Sequence, residues 1–141
     1  MKNPIDWDCA NGIVNDGLYS GFSKYLIETS HRQLSKFGNA SVTSVERILE
    51  IGAGRGEYYR FVTNDFSEYL MTDISDWGRS EIEVLAETDC RIKFEVQDMQ
   101  NLTFEDESFD RVIVSCVLAH VDEPYVALSE VKRITKKRRH L

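Results

Sequence analysis

Cysteine is scarce in this chain of 141 residues, and the three present do not pair. Cys9, Cys90 and Cys116 are odd in number, far apart and free of C-x-x-C spacing, so they suggest neither a disulfide framework nor a zinc site and read as reduced thiols. His31, His120 and His140 likewise lack metal-ligand spacing. No apolar run reaches the ~20 residues of a membrane span, and the opening "MKNPIDWDC" lacks the basic-then-apolar order of a signal peptide. Repeats, linkers and low-complexity tracts are missing too. These absences lead to the expectation of a cytoplasmic protein with no metal and no membrane partner.

Positive charge is scarce outside one place. Of the 17 Lys and Arg, six fall in the last ten residues, which leaves eleven against all 24 acids in the rest of the chain. Such a body repels polyanions, so no nucleic-acid partner is expected. The basic tail reads as a solvated chain end before it reads as a lipid or nucleic-acid contact. What the chain does hold is apolar material: 42% of residues are hydrophobic, enough for one globular domain with a core.

Glycine is concentrated where it means most, in "RILEIGAGRGEYYRF" from Arg47 to Phe61. An apolar run closes on Glu50 and is followed by Gly52, Gly54 and Gly56 at alternate positions. Glycine permits positive φ in a tight turn and direct approach of a ligand to the main chain. A strand that turns into a helix also aims free N–H groups and the positive end of the helix dipole into the turn. The stretch is therefore expected to be a ligand cradle, with a helix over about 57 to 63 behind it.

The remaining pattern alternates. Leu18, Phe22, Tyr25, Leu26, Leu34 and Phe37 recur at roughly helical spacing and predict an amphipathic helix over about 17 to 37 that covers something. "VERILEI", "EYLMTDI", "RIKFEVQ" and "DRVIVSCVL" read as four strands, with "RSEIEVLAET" a helix between the second and third. A last helix starts near Asp122, an N-cap candidate, with Pro124 in its first turn. Strands separated by helices imply an α/β fold with a mainly parallel sheet. The division expected is a helical cap over 1–44 and a ligand-binding domain over 45–141.

In open parallel sheets ligands bind beyond the carboxyl ends of the strands, so the four strand ends are the candidate ligand positions. Asp73 closes the second strand 17 residues past Gly56, near the interval at which an acid meets the ribose hydroxyls of a nucleotide. It also suits the start of the turn "DISD"; the glycine turn nearby tips the reading to ribose. Asp98 and Met99 follow the third strand, where an acid accepts from an exocyclic amine and a flexible apolar neighbour packs on a flat ring, as adenine requires. The alternative there is a loop acid beside a core methionine. Ser115, Cys116 and His120 follow the fourth strand.

Taken in order, "LEIGAGRGEY", "MTDIS", "VQDMQNLTFEDESFDRVIVSCVLAHV" and "ALSEVKRITK" resemble the successive motifs of the class I S-adenosylmethionine-dependent methyltransferases, notably the small-molecule branch with the ubiquinone and menaquinone biosynthetic enzymes. The resemblance runs from about Val45 to Lys136. A nicotinamide dinucleotide fingerprint wants glycine or alanine where this chain has Glu57, which argues against an oxidoreductase.

The resemblance implies a Rossmann-like fold of strand order 3-2-1-4, S-adenosyl-L-methionine as cofactor and a small-molecule methyl acceptor. It implies that Glu50, Gly52, Ala53, Gly54 and Gly56 surround the methionine and ribose portions. Asp73, with Ile74 beside it, takes the ribose hydroxyls, Asp98 the adenine amine and Met99 the adenine face, while Ser115 lies near the sulfonium.

His120 is a candidate general base, against a histidine merely packed at a loop entrance. Cys116 is read as packing and not as a nucleophile. Tyr19 and Tyr25 either cap the site or are ordinary aromatics of the leading helix.

The chain departs from the family pattern at its end. After "ALSEVKRITK" the pattern continues into three more strands, where this sequence reads "KRRHL" and stops. The expectation is a truncated chain whose fourth strand is an exposed apolar edge, apt to pair with another copy. A methyltransferase and a non-catalytic cofactor-binding or interaction module both remain open at this point.

Overall fold

The computed structural model describes residues 21–40 and 45–137. Helix α1 (Gly21–Ala40) leads, followed by β1 (Arg47–Ile51), a 3-10 turn (Tyr59–Phe61), β2 (Glu68–Asp73), α2 (Arg79–Thr88), β3 (Ile92–Val96), β4 (Arg111–Val114), a second 3-10 turn (Leu118–His120) and α3 (Pro124–Ile134). The strands form one parallel sheet in the order β3-β2-β1-β4, as expected. Tyr19 and the residues flanking α1 lie outside the described residues.

The sheet is buried on both faces because its central strands are apolar at nearly every position. On one face Ile48, Tyr69, Met71 and Ile113 pack with Ile82 of α2. On the other Leu49, Ile51 and Leu70 pack with Phe109 and with Ala127 and Ile134 of α3. The central strands β1 and β2 are thus covered twice, as in a Rossmann-like sheet, while the edge strand β3 keeps Lys93, Glu95 and Val96 exposed.

Register sets the site. Ile51 sits opposite Thr72 of β2 and Val114 of β4. Gly52, Asp73 and Ser115 therefore emerge together from three adjacent strand ends, and chain order reverses between β1 and β4, where ligands of such sheets bind.

Three elements differ from the sequence reading. The expected helix after the glycine turn is only the 3-10 turn Tyr59–Phe61. Its aromatics are pulled apart: Tyr58 is buried in the core, while the Tyr59 hydroxyl donates to Asp89 Oδ2 at 2.7 Å. The helix end that meets the turn is instead the N-terminus of α2, where Gly78 lies against the Gly54 carbonyl. β4 spans four residues, not nine, and ends before Cys116, whose φ of 58° breaks the extended run. Helix α3 starts at Pro124 with Glu123 as N-cap and no side-chain cap bond; Glu123 N–H instead donates to Gln100 Oε1 at 2.7 Å. Asp122 thus falls one residue outside the cap position.

The leading helix also docks by the face opposite to the one expected. Phe22 and Phe37 are 75% and 78% exposed, and Leu26 is exposed on the same side. The buried face carries His31 and Ser35. Ser35 Oγ and Asn39 Nδ2 both donate to the Phe61 carbonyl, the latter at 3.1 Å, and Asn39 Oδ1 accepts from Arg111 Nη1 at 2.7 Å. The polar face is chosen because the short 3-10 turn leaves a carbonyl that only side chains reach.

Among the described residues β4 pairs only with β1 through its strand hydrogen bonds. Past α3 the chain runs beside its entrance: Lys136 N–H donates to the Phe109 carbonyl at 2.9 Å, in an isolated parallel bridge of Phe109 with Thr135. A groove of about 380 Å³ follows the outer side of Arg111–Ser115, walled by Leu34 and Gly38 of α1 and by Thr135 and Lys136.

Candidate cofactor site

The glycine turn is built against its neighbours as much as against any ligand. Gly52, Gly54 and Gly56 have φ of 73°, 56° and 79°, conformations that side chains rarely adopt. A Cβ on Gly52 would meet Val117 at 2.9 Å, and one on Gly56 would meet Leu85 at 2.8 Å. At Gly54 the nearest atom is a Trp77 ring carbon at 3.5 Å, so this glycine is demanded by φ and faces the most open side of the turn.

The turn hangs from β2. Gly52 and Ala53 N–H both donate to the Thr72 carbonyl, at 2.8 and 2.9 Å, and Gly54 N–H donates to Asp73 Oδ2 at 3.0 Å. The other oxygen of Asp73 accepts from Ile74 N–H at 2.8 Å. One carboxylate thereby ties the end of β2 to the centre of the glycine turn. Ile74 is exposed beside it.

Two residues that the sequence reading missed complete this corner. Trp77 lies against Gly54, and Gly78 passes so close that a Cβ there would stand 1.9 Å from the Gly54 carbonyl oxygen. The Ser75 hydroxyl and the Trp77 indole N–H are buried without a hydrogen-bond partner. Glycine at 78 after "ISDW" is the one signal that hinted at a close approach; nothing marked Trp77.

Glu50 is buried beneath the turn, 2% exposed, and its Oε2 accepts from the Tyr69 hydroxyl at 2.7 Å. Burial, with a smaller contribution from the Asp73 charge, pushes its carboxyl up to about 7, while the Tyr69 hydrogen bond opposes the rise.

At the end of β3, Asp98 is exposed and its Oδ1 accepts from Gln100 N–H at 2.9 Å. Met99 packs in the core with Leu49, Ile51 and Leu102, so its side chain occupies the core position weighed as the alternative, away from an open ring-binding face.

At the end of β4, Ser115 Oγ lies 3.0 Å from His31 Nε2 and 3.8 Å from Cys116 Sγ. His31 comes from α1 and is packed edge-on against Tyr58 and Phe61. His120 and Cys116 are exposed. The structure thus brings together Gly52, Ala53, Gly54, Asp73 and Ser115 at adjacent strand ends, and adds a histidine other than the one expected. Among the described residues no group of His, Cys, Asp and Glu is arranged to hold a metal ion, and no helix is long and apolar enough to cross a membrane.

A family model described as "Methyltransferase domain" matches residues 49–141. The demethylmenaquinone methyltransferase of Clavibacter sepedonicus is 36% identical over 93 residues, which take in 64% of this chain and 37% of that protein. The ubiquinone/menaquinone biosynthesis C-methyltransferase UbiE of Bordetella avium is 27% identical over 137 residues, 92% of this chain and 48% of that protein. The chain spans half or less of the length of these curated relatives. Among solved structures, the trans-methyltransferase CalH in complex with SAH superposes with a TM-score of 0.63 at 24% identity, over 74% of this chain and 33% of that one. A likeness at that level is one of fold.

Proposed function

Because the chain belongs to the methyltransferase-domain family, we propose that it binds S-adenosyl-L-methionine across the ends of β2, β1 and β4 and directs the methyl group to a small-molecule acceptor. The observation that carries this reading is Asp73, whose carboxylate is fixed at the end of β2 beside the glycine turn by Gly54 N–H and Ile74 N–H, where a vicinal diol would meet it. The unpartnered Ser75 hydroxyl and Trp77 N–H beside it suit a polar ligand, since buried donors are rarely left unpaired.

Gly52, Ala53, Gly54 and Gly56 would shape the bed for the amino-acid and ribose parts, supported from below by Glu50. Ile74 would flank the adenine, Asp98 would accept from its amine, and Met99 would back its loop from the core. The bound cofactor supplies an activated methyl on a sulfonium; this chain orients the acceptor and excludes water.

The acceptor class is proposed from the relatives, one of which is a demethylmenaquinone methyltransferase. Reduced demethylmenaquinone heads the panel to test, with small phenols and amines beside it. Incubation with methyl-tritiated cofactor is expected to label a panel member, identified by a mass increase of one methylene. Label found only in added protein or nucleic acid would overturn the small-molecule reading.

The open side of β4 favours a second feature of the same proposal: another copy of the chain pairs along Arg111–Val114. A cytoplasmic setting belongs with it, since Cys90 and Cys116 are free and exposed and exposed thiols persist in reducing compartments.

A further inference from the structure

We propose that His31, acting through the Ser115 hydroxyl, receives the proton that leaves the methyl acceptor. The inference rests on the cofactor reading above and assigns a role to a residue of the leading helix that neither the glycine turn nor the strand pattern singles out.

The placement comes from the sheet. Ser115 follows Val114, which sits opposite Ile51, and Ile51 precedes the first glycine of the turn. Val117, two residues on, fills the space a Gly52 side chain would need. Ser115 is therefore at the β1/β4 switch point, on the far side of the turn from Asp73. With the ribose at Asp73, the glycine turn and the end of β4 at Ser115 would hold the rest of the cofactor, which would supply the activated methyl there.

A half-buried hydroxyl at that place, with a neutral imidazole nitrogen 3.0 Å behind it, is the arrangement of a proton relay. His120, the histidine suggested by the sequence, is exposed on the following 3-10 turn.

The atoms balance without another reactant. The carbon–sulfur bond breaks with its electron pair left on sulfur, the acceptor's nucleophilic atom (a ring carbon in a quinol, O or N in a phenol or amine) gains the methyl carbon, and one proton is released from that same atom. Ser115 Oγ takes this proton as its own passes to His31 Nε2, which leaves a neutral hydroxyl and an imidazolium. The relay requires the ring proton on Nδ1 at rest, so that Nε2 accepts from the serine.

The surroundings fit a base that is neutral at rest. His31 is 6% exposed, and burial holds its imidazole below the ordinary histidine value. Of the charges that face it, Glu57 after the glycine turn and Glu28 on its own helix favour the imidazolium, while Arg60 on the 3-10 turn opposes it. Tyr58 and Phe61 close the remaining sides with aromatic edges. Two carboxylates within electrostatic reach provide for the charge that arrives with the proton.

The test reads the histidine itself. In the full chain labelled with 15N, the His31 ring signals are assigned by elimination with His120→Gln and His140→Gln, and titrated with saturating S-adenosylhomocysteine or S-adenosylmethionine. The two ligands differ by a methyl and a unit positive charge at sulfur. If the relay faces the reacting centre, the sulfonium lowers the His31 midpoint relative to the thioether by roughly half a pH unit or more, as a unit charge several ångströms away in a partly solvated site requires. Ser115→Ala is expected to move the Nε2 resonance by removing its partner.

Equal midpoints with both ligands, while calorimetry shows both bound, would overturn the relay and leave the cofactor site standing. An unchanged Nε2 resonance in Ser115→Ala would overturn it as well. Absence of binding by either ligand would remove the cofactor reading and the relay together.

Discussion

At the scale of the residue, the site rests on Asp73 and Glu50, two carboxylates with opposite fates. Asp73 stood out because an acid at that distance past a glycine turn suits a ribose as well as the start of the turn "DISD", and the structure adds that it holds the turn through Gly54. Asp73→Ala removes the acceptor for the ligand and for two backbone donors. It is expected to weaken S-adenosylhomocysteine binding by ~1–3 kcal/mol, roughly 5- to 150-fold in Kd by calorimetry.

Glu50 was legible as an acid ending a strand, but its burial against Tyr69 was not, since nothing in one sequence says which face of a central strand it takes. Its carboxyl titrates near 7 in the folded chain against 4.5 ordinarily. Below about 4.5 both states hold the proton and stability is unaffected. Between 4.5 and about 7 the unfolded chain ionises first and stability falls. Above about 7 the loss is complete, on the order of 3 kcal/mol.

Glu50→Gln keeps an acceptor for the Tyr69 hydroxyl and removes the titration. Relative to the parent, the variant is expected to gain stability as pH rises from 5 to 8 in parallel urea unfolding series. A difference between the two that is flat with pH would contradict the assignment.

At the scale of the element, strands were easier to foresee than helices. β1 and β2 declared themselves because a doubly covered strand is apolar at successive positions, and β3, an edge strand with Lys93 and Glu95 exposed, by the alternation of "IKFEV". β4 was overread: "RVIVSCVL" continues apolar past Val114, yet Cys116 turns at positive φ and Val117 leaves the sheet to pack on Gly52. Apolarity reports burial, not extension.

The helix expected after the glycine turn failed for a related reason. Tyr58 and Phe61 pack on each other and on His31, while Tyr59 packs on Phe66 and Tyr69, and those contacts outweigh a short segment without a cap. The consequence reaches α1, which docks by Ser35, Asn39 and His31 on the carbonyl and aromatics left by that 3-10 turn.

Asn39 carries much of this docking. Asn39→Ala would leave the Phe61 carbonyl and Arg111 each short of a partner, and is expected to cost ~1–3 kcal/mol. Faster amide exchange confined to α1 and the 3-10 turn, with the sheet unchanged, is the signature to look for.

At the scale of the whole molecule, the surface has two apolar places with no cover among the described residues: the Phe22, Leu26 and Phe37 face of α1, and the groove along β4. Patches of this kind promote association. We expect the purified chain to rise in mass with concentration by light scattering. Phe22→Ser with Phe37→Ser separates the two surfaces: association through the strand edge persists in that variant, and its disappearance would assign contact to the helix face instead. A chain that is monomeric at all concentrations would contradict both.

The central claim is that three strand ends and a glycine turn form a site for S-adenosylmethionine, and calorimetric titration of the chain with S-adenosylhomocysteine tests it most directly. The account predicts saturable binding of one ligand per chain, weakened by Asp73→Ala while the variant still melts cooperatively. No heat at any ligand concentration from a folded chain, or an affinity indifferent to Asp73, would contradict it.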